Sequence, residues 1–103
     1  MMIPPLLIFA TVAFAAPKQS SNSVALQLGT VLAAEEFCDL SYDQEKIAAY
    51  IEKTVAADDM EFASRLQLMT DGKKFQQENM SKTAKAAHCV QIRRVAKTNG
   101  FIR

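Results

Sequence analysis

Proline is confined to the first 17 of the 103 residues, and the whole chain has only three glycines. Both residues interrupt regular structure, so their scarcity after residue 17 removes the usual signals for tight turns. Strand-like alternation of apolar and polar residues is absent too. Residues 16–103 instead contain 13 alanines, and alanine has the highest helix propensity. The sequence therefore predicts an all-α protein.

Catalytic and ligand-binding motifs are also lacking. The chain has no glycine-rich phosphate loop, no Gly-x-Ser-x-Gly motif and no paired catalytic carboxylates. Its single histidine, His88, adjoins Cys89, and neighbouring side chains on a helix project about 100° apart. This spacing argues against a metal site and against a cysteine nucleophile served by His88. We predict a protein that is not an enzyme and has no metal or other cofactor.

Charge is absent from the first 15 residues, which include the run Leu6–Phe14. The triplet Ala13-Phe-Ala15 has the small-residue pattern that signal peptidases cleave. The run is shorter than the roughly 20 apolar residues that cross a bilayer. Residues 1–15 are therefore predicted to be a signal peptide rather than a transmembrane anchor, and the protein to be periplasmic or secreted. The pattern is incomplete, since no lysine or arginine precedes the run.

A second apolar run, Val24–Ala34, contains an alternative cleavage triplet, Val31-Leu-Ala33. Two export signals in series are not expected. Residues 16–34 are then either an N-terminal segment with the first helix of the mature protein, or part of a leader that is cleaved near residue 33. In both cases residues 35–103 form the predicted helical domain.

Cys38 and Cys89 are the only cysteines. Behind an export signal an even number of cysteines indicates a disulfide, because compartments outside the cytosol oxidise thiol pairs. Closing so long a loop removes entropy from the unfolded chain, and the chain-entropy model values this at about 4 kcal/mol. The sequence thus predicts a Cys38–Cys89 disulfide.

Two motifs typical of helix N-termini predict two helices in the middle of the chain. Ser41-Tyr-Asp-Gln44 has the form of a capping box, and Asp58-Asp-Met-Glu61 is a second motif of the same kind. The first helix has an apolar stripe of Ile47, Ala48, Ile51 and Val55. The second has Phe62, Leu66 and Met69 on one side, and Met60 and Leu68 on the other. We therefore expect neighbours to cover two faces of the second helix.

The last third of the chain predicts one long helix. Asp71-Gly72 is expected to end the preceding helix, and Ser81 to cap the last one. This helix is expected to close at Asn99-Gly100, where glycine adopts the left-handed conformation, and Phe101-Ile102 to fold back as an apolar contact. Its predicted apolar series is Ala84, His88, Ile92 and Val95. The predicted architecture is a small bundle of three or four helices stapled by one disulfide.

Opposite charges are separated along the chain. Residues 35–71 contain ten acidic and three basic residues, a net charge of −7, whereas residues 72–103 contain eight basic and one acidic, a net charge of +7. Basic residues on the last helix predict a face for an anionic partner, namely Lys82, Lys85, Arg93, Arg94 and Lys97. Alternatively, the acidic half neutralises the basic half within one molecule.

The predicted partner is an unknown protein or an anionic envelope surface. Nucleic acid is not expected, because the chain is nearly neutral, carries an export signal and has no aromatic residue within the basic stretch. We predict an exported, non-enzymatic helical protein that acts by contact with an envelope or macromolecular partner.

Three short stretches carry a resemblance to known proteins. Phe37-Cys-Asp39, Ala87-His-Cys-Val-Gln-Ile-Arg-Arg94 and the terminal Asn99-Gly-Phe-Ile102 resemble a group of small exported two-cysteine helical proteins of alphaproteobacteria. The resemblance covers roughly residues 35–103 and implies no established activity. Some members are called signal recognition particle proteins, but this sequence has no guanine-nucleotide-binding motif of that machinery.

The chain is also similar in size, helical character and cysteine separation to the acid-stress chaperones of the bacterial periplasm. Those proteins lose their ordered form at low pH and expose apolar surface that holds unfolding clients. The likeness implies an alternative function, an acid-responsive periplasmic chaperone. An acidic cluster would lose its charge in acid and pair less with the basic half; it consists of Glu35, Glu36, Asp39, Asp43 and Glu45.

Overall fold

Four α-helices make up the fold of residues 20–103, the part of the chain that the computed structural model describes. They are α1 (Ser21–Phe37), α2 (Gln44–Thr54), α3 (Phe62–Gln77) and α4 (Lys82–Thr98), and no strand occurs in this part. The predicted all-α bundle with one disulfide is confirmed. The predicted signal peptide, residues 1–15, lies outside the described residues.

Helix α1 begins where the hydroxyl of Ser20 accepts a hydrogen bond from the backbone N–H of Ser23 at 3.2 Å. It includes the whole run Val24–Ala34, and its buried residues are Val24, Ala25, Leu28, Gly29, Val31, Ala33 and Ala34. These positions lie around most of the helix rather than in one stripe, as in a helix covered by several neighbours. α1 is therefore the central element of the core.

α1 and α3 pack side by side. A Cβ at Gly29 would lie 3.0 Å from Cβ of Met69, closer than an ordinary contact, so the lack of a side chain at Gly29 allows the close approach of the two helices. Near the other end, the Nε2 amide of Gln77 donates to the backbone carbonyl of Ala33 at 2.6 Å. Because the start of α3 lies near the start of α1 and its end near the end, the two helices run parallel. α2 and its flanking turns provide the return connection.

The start of α2 differs from the prediction. Its cap is Asp43, not Ser41, and the Asp43 carboxylate accepts a hydrogen bond from the backbone N–H of Glu45 at 3.0 Å. The Glu35 carboxylate accepts the backbone N–H of Tyr42 at 2.8 Å, and the Tyr42 hydroxyl donates to a backbone carbonyl of α1 at 2.8 Å. These contacts hold Tyr42 in the turn, so the helix begins after it.

The predicted apolar stripe of α2 is only partly buried. Ile47 is buried, Ile51 and Val55 are half-buried, and Ala48 is exposed. Val55 follows the helix in an extended conformation and is no longer part of it. α2 thus contributes one fully buried residue to the core, Ile47, while Tyr50 and Ile51 pack against the core half-buried.

Helix α3 continues through Asp71 and Gly72, so the prediction that it ends there is wrong. The Gln67 amide donates to the Asp71 carboxylate one turn later at 3.1 Å, which supports the helix at this point. Packing on α1 offsets the weak helix propensity of glycine. The expected second covered face is also wrong for residues 20–103, because Met60 and Leu68 are exposed.

Both ends of α4 are as predicted. The Ser81 hydroxyl accepts the backbone N–H of Ala84 at 3.1 Å, and Gly100 has a φ of +79°. Phe101 then folds back into the core. The buried face differs, since it consists of Cys89, Ile92 and Ala96, whereas the predicted Ala84 and Val95 are exposed and His88 is half-buried. The disulfide turns Cys89 inward and rotates the buried stripe accordingly.

Candidate functional site

The Cys38–Cys89 disulfide joins the C-terminal cap of α1 to the middle of α4. The two Cα atoms are 5.4 Å apart, and the cysteines are separated by 51 positions in the sequence. Both residues are buried. This predicted pairing is confirmed, and it fixes α4 against the end of α1.

An open depression of about 290 Å³ lies directly beside this disulfide. We call it the basic cleft; its lining residues are Phe37, Cys38, Asp39, Lys82, Lys85, Ala86, Cys89 and Arg93. Three of the five residues predicted to bind an anion, Lys82, Lys85 and Arg93, therefore meet in one place. The covalent bond at its floor determines their positions relative to α1.

Phe37 organises one side of the basic cleft. The Lys85 ammonium lies 4.4 Å from the centre of the Phe37 ring, within the range of a cation–π contact. The His88 ring packs on the same side chain at a centroid distance of 6.3 Å. In the sequence Phe37 belongs only to a short motif, and this role gives no local signal, because the contacts join residues that are 48 or more positions apart.

The remaining predicted cations extend the positive surface along α4. Lys97 follows Arg93 by one helical turn, so the two lie on one side of the helix. Arg94 is further round, and its guanidinium donates to the Gln91 side chain at 3.2 Å. All five predicted residues are exposed. We refer to these five, Lys82, Lys85, Arg93, Arg94 and Lys97, as the basic face of α4.

Direct ion pairs between the two halves of the charge distribution are absent from residues 20–103. The one pair in this range joins Arg65 Nη1 to Asp59 Oδ2 at 3.5 Å, and both residues belong to the acidic half. Asp39 borders the basic cleft but makes no ion pair there. No carboxylate in the described chain therefore lies within 4.0 Å of a cation of the basic face.

Two titratable groups outside the basic cleft have shifted pKa values. A hydrogen bond from the Ser21 hydroxyl, and then the charge of Arg65, lower the pKa of the Asp59 carboxyl from its ordinary 3.8. Burial, and then the charge of Glu35, raise the pKa of Tyr42 to about 12. The Tyr42 phenol therefore remains a neutral donor, and Asp59 remains ionised in mild acid.

In residues 20–103 no helix combines the length and apolar character needed to cross a membrane. In the same residues no three His, Cys, Asp or Glu side chains are grouped to hold a metal ion. Comparison of the chain with known protein families, with curated proteins and with solved structures finds no match.

Proposed function

We propose that the protein acts outside the cytosol as a non-enzymatic binding protein, and that the basic face of α4 attaches it to an anionic phospholipid surface. One observation carries this proposal: within residues 20–103, none of the five exposed cations has a carboxylate partner within 4.0 Å. Charges that are not paired within the fold remain available to an external anion.

The layout of these cations favours an extended surface over a single small anion. Lys82, Arg93 and Lys97 form a row about 22 Å long on one side of α4, at a rise of about 1.5 Å per residue, and Lys85 and Arg94 flank this row on either side. The basic cleft is shallow and open, and it holds only three of the five cations. Headgroups repeated across a membrane leaflet match such a row, and each basic residue near the surface contributes about 1 kcal/mol.

The disulfide supports an oxidising compartment as the site of action, since cytosolic proteins rarely keep such bonds. We further propose that the leader is cleaved after Ala15 rather than near residue 33. Cleavage at the second position would remove Val24, Leu28 and Val31, all of which are buried in the core. The remaining chain would lose the helix against which α3 packs.

Vesicle binding tests the proposed attachment. We expect oxidised protein beginning at Ala16 to co-sediment with vesicles that contain anionic phospholipid and to be released by salt. Exchanging two cations for carboxylates, Arg93→Glu with Lys97→Glu, is expected to weaken binding at least about tenfold, given about 1 kcal/mol per basic residue. Lys46→Glu with Lys53→Glu is the matched control, because both are exposed lysines on α2 and the exchange changes the net charge by the same amount.

Three results would contradict the attachment. Binding that does not change with salt concentration or with the fraction of anionic lipid would contradict an electrostatic mechanism. An equal loss for Lys46→Glu with Lys53→Glu would mean that only net charge matters. Absence of vesicle binding together with salt-sensitive binding to polyglutamate would identify an acidic protein, not a lipid surface, as the partner.

A second candidate function is an acid-responsive chaperone. Two carboxylates favour it, because one binds the turn between α1 and α2 and the other lies in the segment between α2 and α3 and forms an ion pair. Glu35 binds the backbone of the α1–α2 turn at Tyr42. Asp59, just before α3, binds Ser21 at the start of α1 and forms an ion pair with Arg65. Protonation of Asp59 in strong acid weakens its contacts and loosens the packing of α3 on the start of α1.

We expect this loosening to appear only in strong acid. A lowered pKa means that ionised Asp59 stabilises the fold above pH 3.8, and that this stabilisation is lost as the pH falls through the lowered value. Circular dichroism and a client-aggregation assay between pH 7 and pH 2 measure the transition. Asp59→Asn should remove part of the pH dependence, whereas the neighbouring exposed Asp58→Asn should leave it intact. Unchanged helix content and no client protection in acid would exclude the chaperone.

A further inference from the structure

One carboxylate borders the basic cleft among its cations. Asp39 lines this depression together with Lys82, Lys85 and Arg93. Asp39 makes no ion pair within residues 20–103, so more than 4.0 Å separates its carboxylate oxygens from the charged nitrogens of these three side chains. Charges of opposite sign therefore lie in one depression of about 290 Å³ without forming a contact pair.

The backbone at Asp39 adopts a conformation that favours glycine. Asp39 follows the C-cap of α1 and has a φ of +56°, and it is the only residue other than glycine with a positive φ in the described part of the chain. Its N–H donates to the carbonyl of Glu36 at 3.1 Å, and the N–H of Leu40 donates to the carbonyl of Glu35 at 2.7 Å, which is the Schellman closure of a helix. Helix closure alone would favour glycine here. The aspartate is accommodated at a cost in backbone strain, a feature typical of functional sites.

The cleft holds its charged groups in place before any ligand binds. The Lys85 ammonium lies 4.4 Å from the centre of the Phe37 ring, and such a cation–π contact orients the ammonium without supplying a counter-ion. Cys38 directly precedes Asp39, and Cys89 follows Lys85 by one helical turn. The disulfide between these two cysteines therefore fixes the carboxylate near the cations of α4.

A ligand with an anion and a cation side by side matches this arrangement. A purely anionic group would contact the cations but would meet Asp39 as a like charge. A phosphate linked to a primary ammonium instead offers oxygens to the basic side chains and N–H donors to the carboxylate. The volume of the depression is near the lower limit of ligand pockets, which span roughly 300–1,000 Å³, and so suits a small headgroup.

We propose that the basic cleft binds the phosphoethanolamine headgroup of a phospholipid, with the phosphate at the three cations and the ammonium at Asp39. This selectivity rests on the proposed lipid attachment, because the cations along α4 bring the cleft to the lipid surface. Arg94 and Lys97, which do not line the cleft, attract any anionic lipid. Asp39 then distinguishes headgroups that carry a primary ammonium from those that do not.

Vesicles that differ only in their zwitterionic lipid test the selectivity. One set contains phosphatidylglycerol with phosphatidylethanolamine. The other contains the same fraction of phosphatidylglycerol with phosphatidylcholine, whose quaternary ammonium has no N–H to donate. We expect the oxidised protein beginning at Ala16 to bind the ethanolamine vesicles about threefold more tightly, as one additional solvent-exposed ion pair would give.

Two matched variants assign this preference to one carboxylate. Asp39→Asn is expected to abolish the preference while binding to the choline vesicles stays at least as tight. Asparagine tolerates the left-handed conformation, so α1 still closes at this position. Glu36→Gln removes the same charge from an exposed residue of α1 that does not line the basic cleft, and it should keep the preference. Circular dichroism of both variants verifies that the four helices are retained.

Failure of the selectivity is distinguishable from failure of the attachment. Equal binding to both sets of vesicles, or a preference that survives Asp39→Asn, would overturn the headgroup assignment and leave the attachment standing. Absence of binding to either set would overturn both. Titration with soluble O-phosphoethanolamine, followed by nuclear magnetic resonance of the backbone amides, distinguishes the two sources of the group. Only weak binding is expected, and saturation at micromolar concentration would identify a soluble ligand in place of a lipid.

Discussion

Loss of the disulfide is expected to be the most damaging change in the molecule. We expect the double variant Cys38→Ala with Cys89→Ala to lower the free energy of unfolding by about 4 kcal/mol, because the cross-link constrains a long loop of the unfolded chain. The total stability of a domain is only about 5–15 kcal/mol. Urea unfolding followed by circular dichroism measures the difference. Much of the attachment of α4 depends on this bond, since Cys89 is one of only three buried residues in that helix.

Reduction of the unaltered protein provides the matched experiment. A dithiol reductant should lower the midpoint temperature of thermal unfolding, as the double alanine variant is also expected to do. Vesicle binding should weaken as well, because α4 carries the basic face and the disulfide joins that helix to α1. An unchanged midpoint after complete reduction would show that the cross-link has no structural role.

Phe101→Ala is expected to have the next largest effect, a loss of about 3–5 kcal/mol in unfolding free energy. Phe101 is only 1% exposed, and its ring packs on Tyr42 and Tyr50 at centroid distances of 6.1 and 5.6 Å. Its carbonyl also accepts the backbone N–H of Asp43 at 2.9 Å. Truncation to alanine leaves a cavity where the end of the chain meets the α1–α2 turn and α2.

The control for this experiment is Val90→Ala, which shortens an exposed side chain and should cost less than about 0.5 kcal/mol. Phe101→Leu retains most of the volume and should lie between the two. Chemical denaturation of all three variants gives the comparison. A loss below about 1 kcal/mol for Phe101→Ala would show that the C-terminal residues do not pack as described.

The features that the sequence predicted correctly depend on local chemistry. The Ser81 cap requires only a hydroxyl one turn from a free backbone N–H, and closure at Gly100 requires only a residue that tolerates positive φ. The disulfide followed from the count of cysteines. In each case the relevant atoms are close in sequence or the choice of partner is unique.

The errors occur where distant residues decide the local structure. Asp43 replaces Ser41 as the cap because Glu35 and α1 hold Tyr42 in the turn. α3 passes through Gly72 because packing on α1 compensates for the glycine. Neither contact can be predicted from the sequence of the helix whose boundary it changes.

The candidate site was predicted in part. Helical periodicity was sufficient to place several cations of α4 on one side, and the structure brings three of them together beside the disulfide. The contact of Phe37 with Lys85 was missed because it depends on how α4 crosses α1. Met60 and Leu68 were expected to be covered, but both are exposed in the described chain, because no other described element packs on that side of α3.

The parallel arrangement of α1 and α3 has an electrostatic consequence. Aligned peptide dipoles give the C-terminal end of each helix a partial charge of about −0.5, and here the two ends lie side by side, where Gln77 binds Ala33. Lys85 lies over Phe37, the last residue of α1, and is close to this combined negative pole. The pole offsets part of the positive potential of Lys85. The dipole of α4 gives its start, where Lys82 lies beside the end of α1, a partial positive charge, so attraction between opposite helix ends supplements the disulfide in holding α4 against α1.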